Sequence, residues 1–269
     1  MNAPPIINVL RAGLCDLVMD GGRHGYTHLG VPVGGAADVL ALRWANRLVG
    51  NADHAAGLEI TLKGPLLAFP QGGAVALTGA PFGATRSSGH AVAWHETLIM
   101  APDEQLEIGT AIAGCRCWLA VQGGIQVPEV LRSRSTFLPA GFGGLDGRAL
   151  NAGDKLALGD AAAAPGVLRI QPPFAHESAP LHVVPGPQAA EFTDAGLAAF
   201  FNSTYRVDSA SDRRGVRLHG AAVAVSAQDG IATQAVLPGA IQIPPDGQPI
   251  ILGWDGPVTG GYPVIAGLV

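Results

Sequence analysis

Short runs of hydrophobic residues, separated by glycine or proline every few positions, make up most of the chain. Typical runs are GLEITLKGPLLAF, GAVALTGA, RCWLAVQGG and AIQIPP, in which β-branched residues are frequent or hydrophobic and polar residues alternate. Runs of this length, with turn-forming residues between them, are typical of β-barrels and β-sandwiches. The pattern therefore predicts a mainly β fold with a few helices.

Two stretches have the periodicity of a helix instead. In AADVLALRWANRLV, residues 36–49, the larger apolar residues fall on one helical face, and Gly50 follows at a position suited to a C-cap. In QAAEFTDAGLAAFF, residues 188–201, an apolar stripe is again present. We expect one helix in each stretch, plugging or flanking a barrel.

An alanine- and proline-rich stretch, GDAAAAPGVLRIQPPFAHESAP at residues 159–180, is the best candidate for a linker. It contains four prolines and no sustained periodicity. A boundary inside this stretch divides the chain into residues 1–165 and residues 166–269. Each part is then expected to be an all-β unit with one main helix, and helix 36–49 belongs to the first unit.

Charged residues make up only 14% of the chain, well below the ~25% of an ordinary soluble domain, and the mean hydropathy is +0.30. The hydrophobic runs are too short to cross a membrane, and the N-terminus lacks the features of a signal peptide. We therefore expect a cytoplasmic protein that buries part of its surface against a partner or a second copy. The net charge of −5 and the absence of a Lys/Arg block argue against nucleic acid as a partner.

The cysteines and histidines have no spacing that is typical of a metal site, so no metal is expected. Cys115 and Cys117 lie two apart on a predicted strand and should point to the same face. We interpret these two and Cys15 as small buried residues in a reducing compartment. His24 and His28, four apart in one loop, are interpreted as surface residues.

Polar side chains beside glycine are concentrated in seven short stretches. Each stretch can be interpreted as a tight turn between strands, but as a set they indicate a ligand site, because glycine lets a backbone approach a ligand closely. Motifs for a phosphate-binding loop, a serine nucleophile elbow and a zinc protease are absent. The stretches are DGGRHGY (20–26), GGAAD (34–38), ALTGAP (76–81), VQGG (121–124), RSRST (132–136), SDRRG (211–215) and VTGGYP (258–263).

In RSRST, Arg132 and Arg134 alternate with Ser133 and Ser135. On an extended chain both arginines would face one way, where they could hold a carboxylate or a similar anion. The alternative is a solvated strand edge whose arginines pair with nearby acids.

Two further pairs of opposite charge stand close together in the sequence. Asp20 lies near Arg23, and Asp212 precedes Arg213. Each is a potential ion pair or a positioned acid or base, and such pairs are structural more often than catalytic.

The run DGGRHGYTHLGVPVGGAAD, followed by WANRLVGNADHAAGLEITLKGPLLAF, resembles the opening of the biotin-dependent carboxyltransferase family. That family includes allophanate hydrolase subunit 2, also described as the C subunit of 5-oxoprolinase, and the antagonist of a sporulation-kinase inhibitor. Further matches follow in family order along nearly the whole chain. They are LTGAP, LAVQGGIQVPEVLRSRST, LNAGDKL, VVPGPQAAEF, SDRRGVRL and GAIQIPPDGQPIILGWDGPVTGGYPVIA.

The resemblance implies a pair of cyclophilin-like β-barrel units and a sister subunit similar to allophanate hydrolase subunit 1 or to the B subunit of 5-oxoprolinase. It implies either ATP-linked opening of 5-oxoproline or carboxyl transfer to a small amide. No cofactor is expected to be bound covalently. The absence of nucleotide motifs places any ATP site at the subunit interface or on the partner, and biotin would arrive on another protein.

We expect the reaction to occur in a cleft that stabilises an anionic oxygen and contains a group that moves a proton. The candidate catalytic residues are Asp20, Asp212 and Arg213. The candidate substrate-binding residues are Arg23, Tyr26, Asp38, Arg134, Ser135, Thr259, Gly260, Gly261 and Tyr262.

The chain departs from the family pattern at several of these loops. Met19 replaces a glutamine, Gly34 a serine, Arg214 a methionine and Val258 a threonine. Family members usually continue through another strand-forming segment after the position of Val269, so we expect that the chain is trimmed or that the last barrel closes differently. Loss of hydrogen-bonding groups favours an alternative function, a non-catalytic regulatory protein that sequesters a kinase-inhibitor-like sister subunit. A self-associating β protein, forming a homodimer with a degenerate site, is a third interpretation.

Overall fold

The computed structural model describes residues 4–160, 166–171, 180–226 and 231–269. Its contacts divide the chain into two compact units, Met1–Arg23 with Asp38–Glu177, and His24–Ala37 with Ser178–Val269. The first unit is therefore interrupted by a short segment, 24–37, that belongs to the second. The predicted boundary at 165/166 adjoins residues 161–165, which lie outside the described residues.

The described part of the first unit forms two antiparallel sheets. Their strand orders are β10-β11-β1-β4-β8-β6 and β2-β3-β9-β5-β7. The prediction of a mainly β fold is confirmed. The strands are β1 (Ile6–Arg11), β2 (Cys15–Met19), β3 (Gly57–Thr61), β4 (Leu66–Phe69), β5 (Gly73–Gly79), β6 (Phe82–Arg86), β7 (Thr97–Met100), β8 (Glu104–Ala111), β9 (Arg116–Val121), β10 (Ile125–Gln126) and β11 (Lys155–Leu158).

Alternating residues from both sheets form the core of the first unit. Ile7 and Val9 of β1 face the same interior as Leu58 and Ile60 of β3, and all four are buried. Alternation at a period of two is what places one set of side chains inward along each strand.

Helix α1 (Val39–Leu48) packs against this unit and confirms the helix predicted at residues 36–49. The Asp38 carboxylate accepts a hydrogen bond from the Ala41 N–H at 2.9 Å, which caps the first turn. The Thr78 hydroxyl of β5 donates to the Ala41 carbonyl at 2.7 Å and fixes the helix to the sheet.

The cysteine prediction is correct for one residue and wrong for another. Cys117 lies within β9 and is buried, and burial raises the pKa of its thiol well above the usual range. Cys115, which immediately precedes β9, is exposed, and Cys15 is half-buried. The two thiols therefore do not share a buried face.

Asp16, on β2, is a buried carboxyl group that sequence patterns did not single out. Its side chain is 1% exposed and accepts one hydrogen bond, from the Gly13 N–H at 2.6 Å. Burial, partly offset by that hydrogen bond, raises its pKa from 3.8 to about 6. The folded protein therefore holds this proton more tightly than the unfolded chain does.

We predict that Asp16 lowers stability as the pH rises from about 4 to about 6. In this interval the unfolded chain has lost the proton and the folded one retains it, so folding costs up to about 3 kcal/mol more above the interval than below it. In urea unfolding, the free energy of unfolding of Asp16→Asn, relative to that of the wild type, should rise by about this amount between pH 4 and pH 7. Exposed Asp160→Asn serves as the control, and a difference independent of pH would contradict the assignment.

The second unit, in its described residues, contains a sheet of order β12-β19-β16-β17-β14-β13 and the two-stranded pair β15-β18. Phe192, Val223 and Ile241 are buried in its core. The strands are β12 (Val183–Pro185), β13 (Arg206–Val207), β14 (Gly215–His219), β15 (Gln234–Ala235), β16 (Ala240–Gln242), β17 (Ile250–Leu252), β18 (Thr259–Gly260) and β19 (Val264–Leu268).

Helix α2 (Asp194–Asn202) lies in the stretch predicted to be helical at 188–201 but begins six residues later. Thr193 sets the start, because its hydroxyl accepts a hydrogen bond from the Gly196 N–H at 2.9 Å. Short 3-10 turns occur at Thr27–Leu29, Leu138–Ala140 and Ala189–Glu191. Within the described residues no helix is both long and apolar enough to span a membrane.

Candidate functional site

In the first unit, Asp20 is the centre of a buried hydrogen-bond network. One carboxylate oxygen accepts from the hydroxyls of Ser133 and Ser135, both at 2.6 Å, and from the Gly22 N–H at 2.8 Å. The other accepts from the Arg134 N–H at 2.6 Å. Four donors satisfy an ionised carboxylate, and they join the turn after β2 to the RSRST stretch.

Arg23 is fully buried beside this network. Its guanidinium donates to the Ser135 carbonyl at 2.5 Å and lies 4.9 Å from the centre of the Phe142 ring and 6.0 Å from that of Phe137. Stacking on two aromatic faces is a favourable environment for a guanidinium withdrawn from water. Arg23 is therefore brought together with Ser135 and Asp20, as predicted, but in the interior of the unit.

The RSRST stretch differs from the predicted extended strand. Leu131 and Arg132 both have a positive φ, so the alternation of side chains begins only after Arg132. The Arg134 guanidinium forms an ion pair with Glu129 at 2.6 Å. Arg134 thus pairs with a nearby acid, which is the alternative given for the arginines of this stretch. Both serines point toward Asp20, on one side of the chain, as their spacing predicts.

The charge pair suggested by the proximity of Asp212 and Arg213 in the sequence differs from the pairing observed. Arg213 forms an ion pair with Asp255 instead, with distances of 2.8 Å from Nε and 3.1 Å from Nη2, and both residues are buried. Asp212 is exposed and accepts from its neighbour's side chain, Arg214 Nε, at 2.7 Å. Asp20 accepts hydrogen bonds from the four donors given above.

Arg213 also fixes the segment 24–37 within the second unit. Its Nη2 donates to the Gly35 carbonyl at 2.5 Å. Two hydrogen bonds to Trp254 also hold this segment. The Gly34 N–H donates to the Trp254 carbonyl at 3.2 Å, and the Trp254 indole N–H donates to the Ala37 carbonyl at 3.1 Å. The buried pair Arg213–Asp255 thus holds the polar opening loop against the loop at 254–257.

Residues of both the opening loop and the loop at 254–257 line a groove of about 460 Å³ in the second unit, which we call the 28/259 groove. Apart from the hydroxyls of Thr27 and Thr259, the imidazole of His28 and the Trp254 indole, its walls are mainly apolar. A mainly apolar cleft with a few polar groups is typical of a small-molecule site. The groove is lined by Thr27, His28, Pro32, Val33, Ala235, Val236, Leu237, Pro238, Trp254, Gly256, Pro257, Val258 and Thr259.

The structure distributes the remaining candidates over several places. Asp38 is exposed and caps α1, and Tyr26 is half-buried at the start of the turn Thr27–Leu29. Gly260 completes β18, where a Cβ would meet the Gln242 amide at 2.5 Å. Gly261 and Tyr262 line a separate cavity with residues 222–225. Thr259 is thus the only predicted site residue that lines the described part of the 28/259 groove.

Two contributors to this region, Asp255 and Trp254, give no local signal in the sequence, since their partners lie far away along the chain. His28 is exposed, as predicted, and it also lines the groove. Among the departures from the family pattern, Val258 lines the groove, whereas Met19 is buried in β2. Where the structure describes side chains, no group of three or more His, Cys, Asp or Glu residues could hold a metal ion.

The chain is similar to known proteins over nearly its whole length. The family model for the carboxyltransferase domain, subdomain A and B, matches residues 29–269. The C subunit of 5-oxoprolinase from Escherichia coli is 40% identical over 268 residues, covering 98% of this chain and 84% of that protein. The Haemophilus influenzae protein of the same name is 32% identical over 264 residues, covering 98% and 84%.

Known structures agree with this similarity. The crystal structure of TTHA0988 superposes with a TM-score of 0.87 at 32% identity, covering 100% of this chain and 52% of that one. Urea amidolyase of K. lactis gives 0.86 at 32% identity, covering 100% and 18%. This chain therefore spans about half of the first structure and a smaller part of the second. These matches show that the chain belongs to the carboxyltransferase domain family, subdomain A and B.

Proposed function

We propose that this chain is one subunit of a two-component enzyme that hydrolyses the lactam 5-oxoproline with consumption of ATP, together with a sister subunit similar to the B subunit of 5-oxoprolinase. The observation that carries the proposal is the 40% identity with the C subunit of 5-oxoprolinase from Escherichia coli over 98% of this chain. The match covers 84% of that relative, so most of its length has a counterpart here.

The 28/259 groove is the part of the active site that we assign to this chain. Its lining comes from two of the stretches with the strongest family resemblance, residues 27–33 and 254–259. Trp254 and Leu237 are large apolar side chains that remain exposed, at 37% and 73%. An exposed apolar rim around a concave site is suited to closure by a second protein chain. The groove would thus be completed by the sister subunit.

The groove contains the groups that hydrolysis of a lactam needs. Water adds across the ring C–N bond, which breaks: the carbonyl carbon gains the water oxygen and becomes a carboxylate, and both water protons pass to the ring nitrogen, which becomes an ammonium group. The hydroxyls of Thr27 and Thr259 can donate to the lactam oxygen as charge develops on it. His28 is the one titratable side chain among the described lining residues, and it can transfer the proton.

The groove does not fit the phosphates of ATP, because no arginine or lysine is among its described lining residues. We therefore assign ATP to the sister subunit or to the interface with it. Biotin is involved only if the reaction is carboxyl transfer, in which case it arrives on another protein.

Two other functions remain to be tested. Carboxyl transfer to a urea-like acceptor is favoured by the family model and by the match to urea amidolyase of Saccharomyces cerevisiae, 31% identical over 96% of this chain and 15% of that protein. A regulatory protein that only sequesters its sister subunit is favoured by Val258, since it lines the groove at a position where the family has a hydroxyl.

Co-expression with the sister subunit separates these functions. The complex should form glutamate from 5-oxoproline with matching ATP hydrolysis, and neither subunit alone should do so. Turnover only of urea, in the presence of a biotinylated carrier protein and bicarbonate, would replace the proposal by carboxyl transfer. A stable complex without turnover of either substrate would identify a regulatory protein, and failure of the two proteins to associate would refute both.

A further inference from the structure

Another cavity in the second unit contains chemistry that the proposed function does not use. Its volume is about 410 Å³, and it lies between β14 and the loop at residues 244–250. We call it the 217/246 pocket. It is lined by Asp208, Arg217, Leu218, His219, Pro244, Asp246, Gln248, Pro249, Ile250 and Tyr262.

Strand β14 presents two basic side chains to this pocket. Arg217 and His219 are two residues apart, so they lie on the same face of the strand, about 7 Å apart along it. In the described part of the chain, neither side chain has a hydrogen bond or an ion pair, and the same holds for the Tyr262 hydroxyl. The pocket thus contains three hydrogen-bond donors that are available to a ligand.

Acidic groups face the same pocket. One oxygen of Asp208 accepts from the Ala210 N–H at 2.7 Å, and one oxygen of Asp246 accepts from the Gln248 N–H at 3.0 Å. Each bond closes a local turn and fixes the carboxylate, and the second oxygen of each has capacity left to accept. Among the described lining residues, two aspartates stand beside Arg217, the one arginine or lysine of the pocket.

The walls of the pocket are firmly built. The Gln248 amide bonds the backbone of Gly220 twice, accepting from its N–H at 2.9 Å and donating to its carbonyl at 3.3 Å. Pro244 and Pro249 restrict the backbone on either side of Asp246, and Ile250 belongs to β17. A rigid wall reduces the entropy that a ligand would lose by ordering its site.

We propose that the 217/246 pocket binds a small amino-acid-type ligand, one that carries a carboxylate and a nearby ammonium or N–H group. The Arg217 fork bonds the carboxylate, with further donation from Tyr262 and His219. The free oxygens of Asp208 and Asp246 accept from the ligand's nitrogen. A dianion such as phosphate is disfavoured because two fixed carboxylates would face it.

This inference does not depend on the proposed function, because it concerns binding to this chain without the sister subunit. Amino acids and their lactams, including L-glutamate and 5-oxo-L-proline, are within the ligand class. The pocket shares no lining residue with the 28/259 groove. Substitutions can therefore separate the two sites.

Isothermal titration calorimetry of the purified chain tests the proposal. The probes are L-glutamate, 5-oxo-L-proline and L-proline, with acetate, methylammonium and inorganic phosphate as ligands that carry only one type of group. We expect at least one amino-acid-type probe to bind about tenfold or more tightly than acetate, methylammonium or phosphate. Arg217→Gln should weaken that binding by about tenfold or more.

The matched control is Arg206→Gln. Arg206 is also exposed and is paired in register with His219 on the neighbouring strand, but it does not line the pocket. Arg206→Gln removes the same charge and should leave binding within about twofold of wild type. Tighter binding of phosphate or acetate, equal losses in Arg217→Gln and Arg206→Gln, or no binding of any amino-acid-type probe would overturn the proposal. Thermal unfolding curves establish that the variants are folded.

Discussion

Asp20→Ala is expected to lower the free energy of unfolding by about 4 kcal/mol. The substitution removes the acceptor for four hydrogen bonds, from Ser133, Ser135 and the N–H groups of Gly22 and Arg134. Both serine side chains are fully buried, so water cannot replace the lost acceptor without opening the unit. Asp20→Asn should cost less, because the amide keeps one acceptor oxygen and the shape of the side chain. Urea unfolding of each variant measures both values.

Exposed Asp160→Ala is the control for loss of a carboxylate and should change stability little. The same series tests whether Asp20 is catalytic. If Asp20→Asn folds with wild-type stability but abolishes turnover of the reconstituted enzyme, Asp20 acts on the substrate and the structural role of the network is wrong. If stability and activity fall together, the network acts by holding the loop 132–136 in place.

Arg213→Gln is expected to destabilise the protein by about 3–5 kcal/mol, because it leaves the Asp255 carboxylate buried without its ion-pair partner. The Asp255 residue is only 3% exposed. The variant also loses the bond to the Gly35 carbonyl, so amide hydrogen exchange should become faster in residues 24–37. Denaturant unfolding and hydrogen exchange monitored by mass spectrometry provide the two readouts.

The double variant Arg213→Gln with Asp255→Asn is the internal control for this effect. Removal of both charges leaves no unpaired carboxylate, so the double variant should be more stable than Arg213→Gln alone. Arg214→Gln, which breaks the exposed pair with Asp212, should cost no more than about 1 kcal/mol. Equal losses in Arg213→Gln and Arg214→Gln would contradict the assignment of the buried pair.

Features that depend on neighbouring residues were predictable from the sequence. The helix at α1 follows from apolar residues at a helical period. The capping role of Asp38 is seen only in the structure, since the sequence predicts Asp38 as a substrate-binding residue. The start of α2 was placed too early because Phe192 and the residues before it continue the apolar pattern. The cap at Thr193, rather than hydrophobicity, determines where the helix begins.

Features that depend on distant pairing were not predictable. Arg213 is next to Asp212, but adjacent side chains on an extended chain point to opposite sides, and the partner is Asp255, 42 residues away. The same limit applies to the segment 24–37: its membership of the second unit depends on bonds to Arg213 and Trp254, which are about 200 residues further along the chain. The seven polar stretches predict a ligand site, and only three-dimensional pairing places His28 and Thr259 in one groove.

The most direct test of the central claim is the rate of glutamate formation from 5-oxoproline by the reconstituted complex carrying His28→Gln and Thr259→Val. The matched control carries His90→Gln and Thr110→Val, the same changes at exposed positions of the first unit. We predict that kcat/KM falls about a hundredfold in the groove variant, with wild-type assembly, and is unchanged in the control. Equal activity of the two variants would show that the 28/259 groove is not part of the active site.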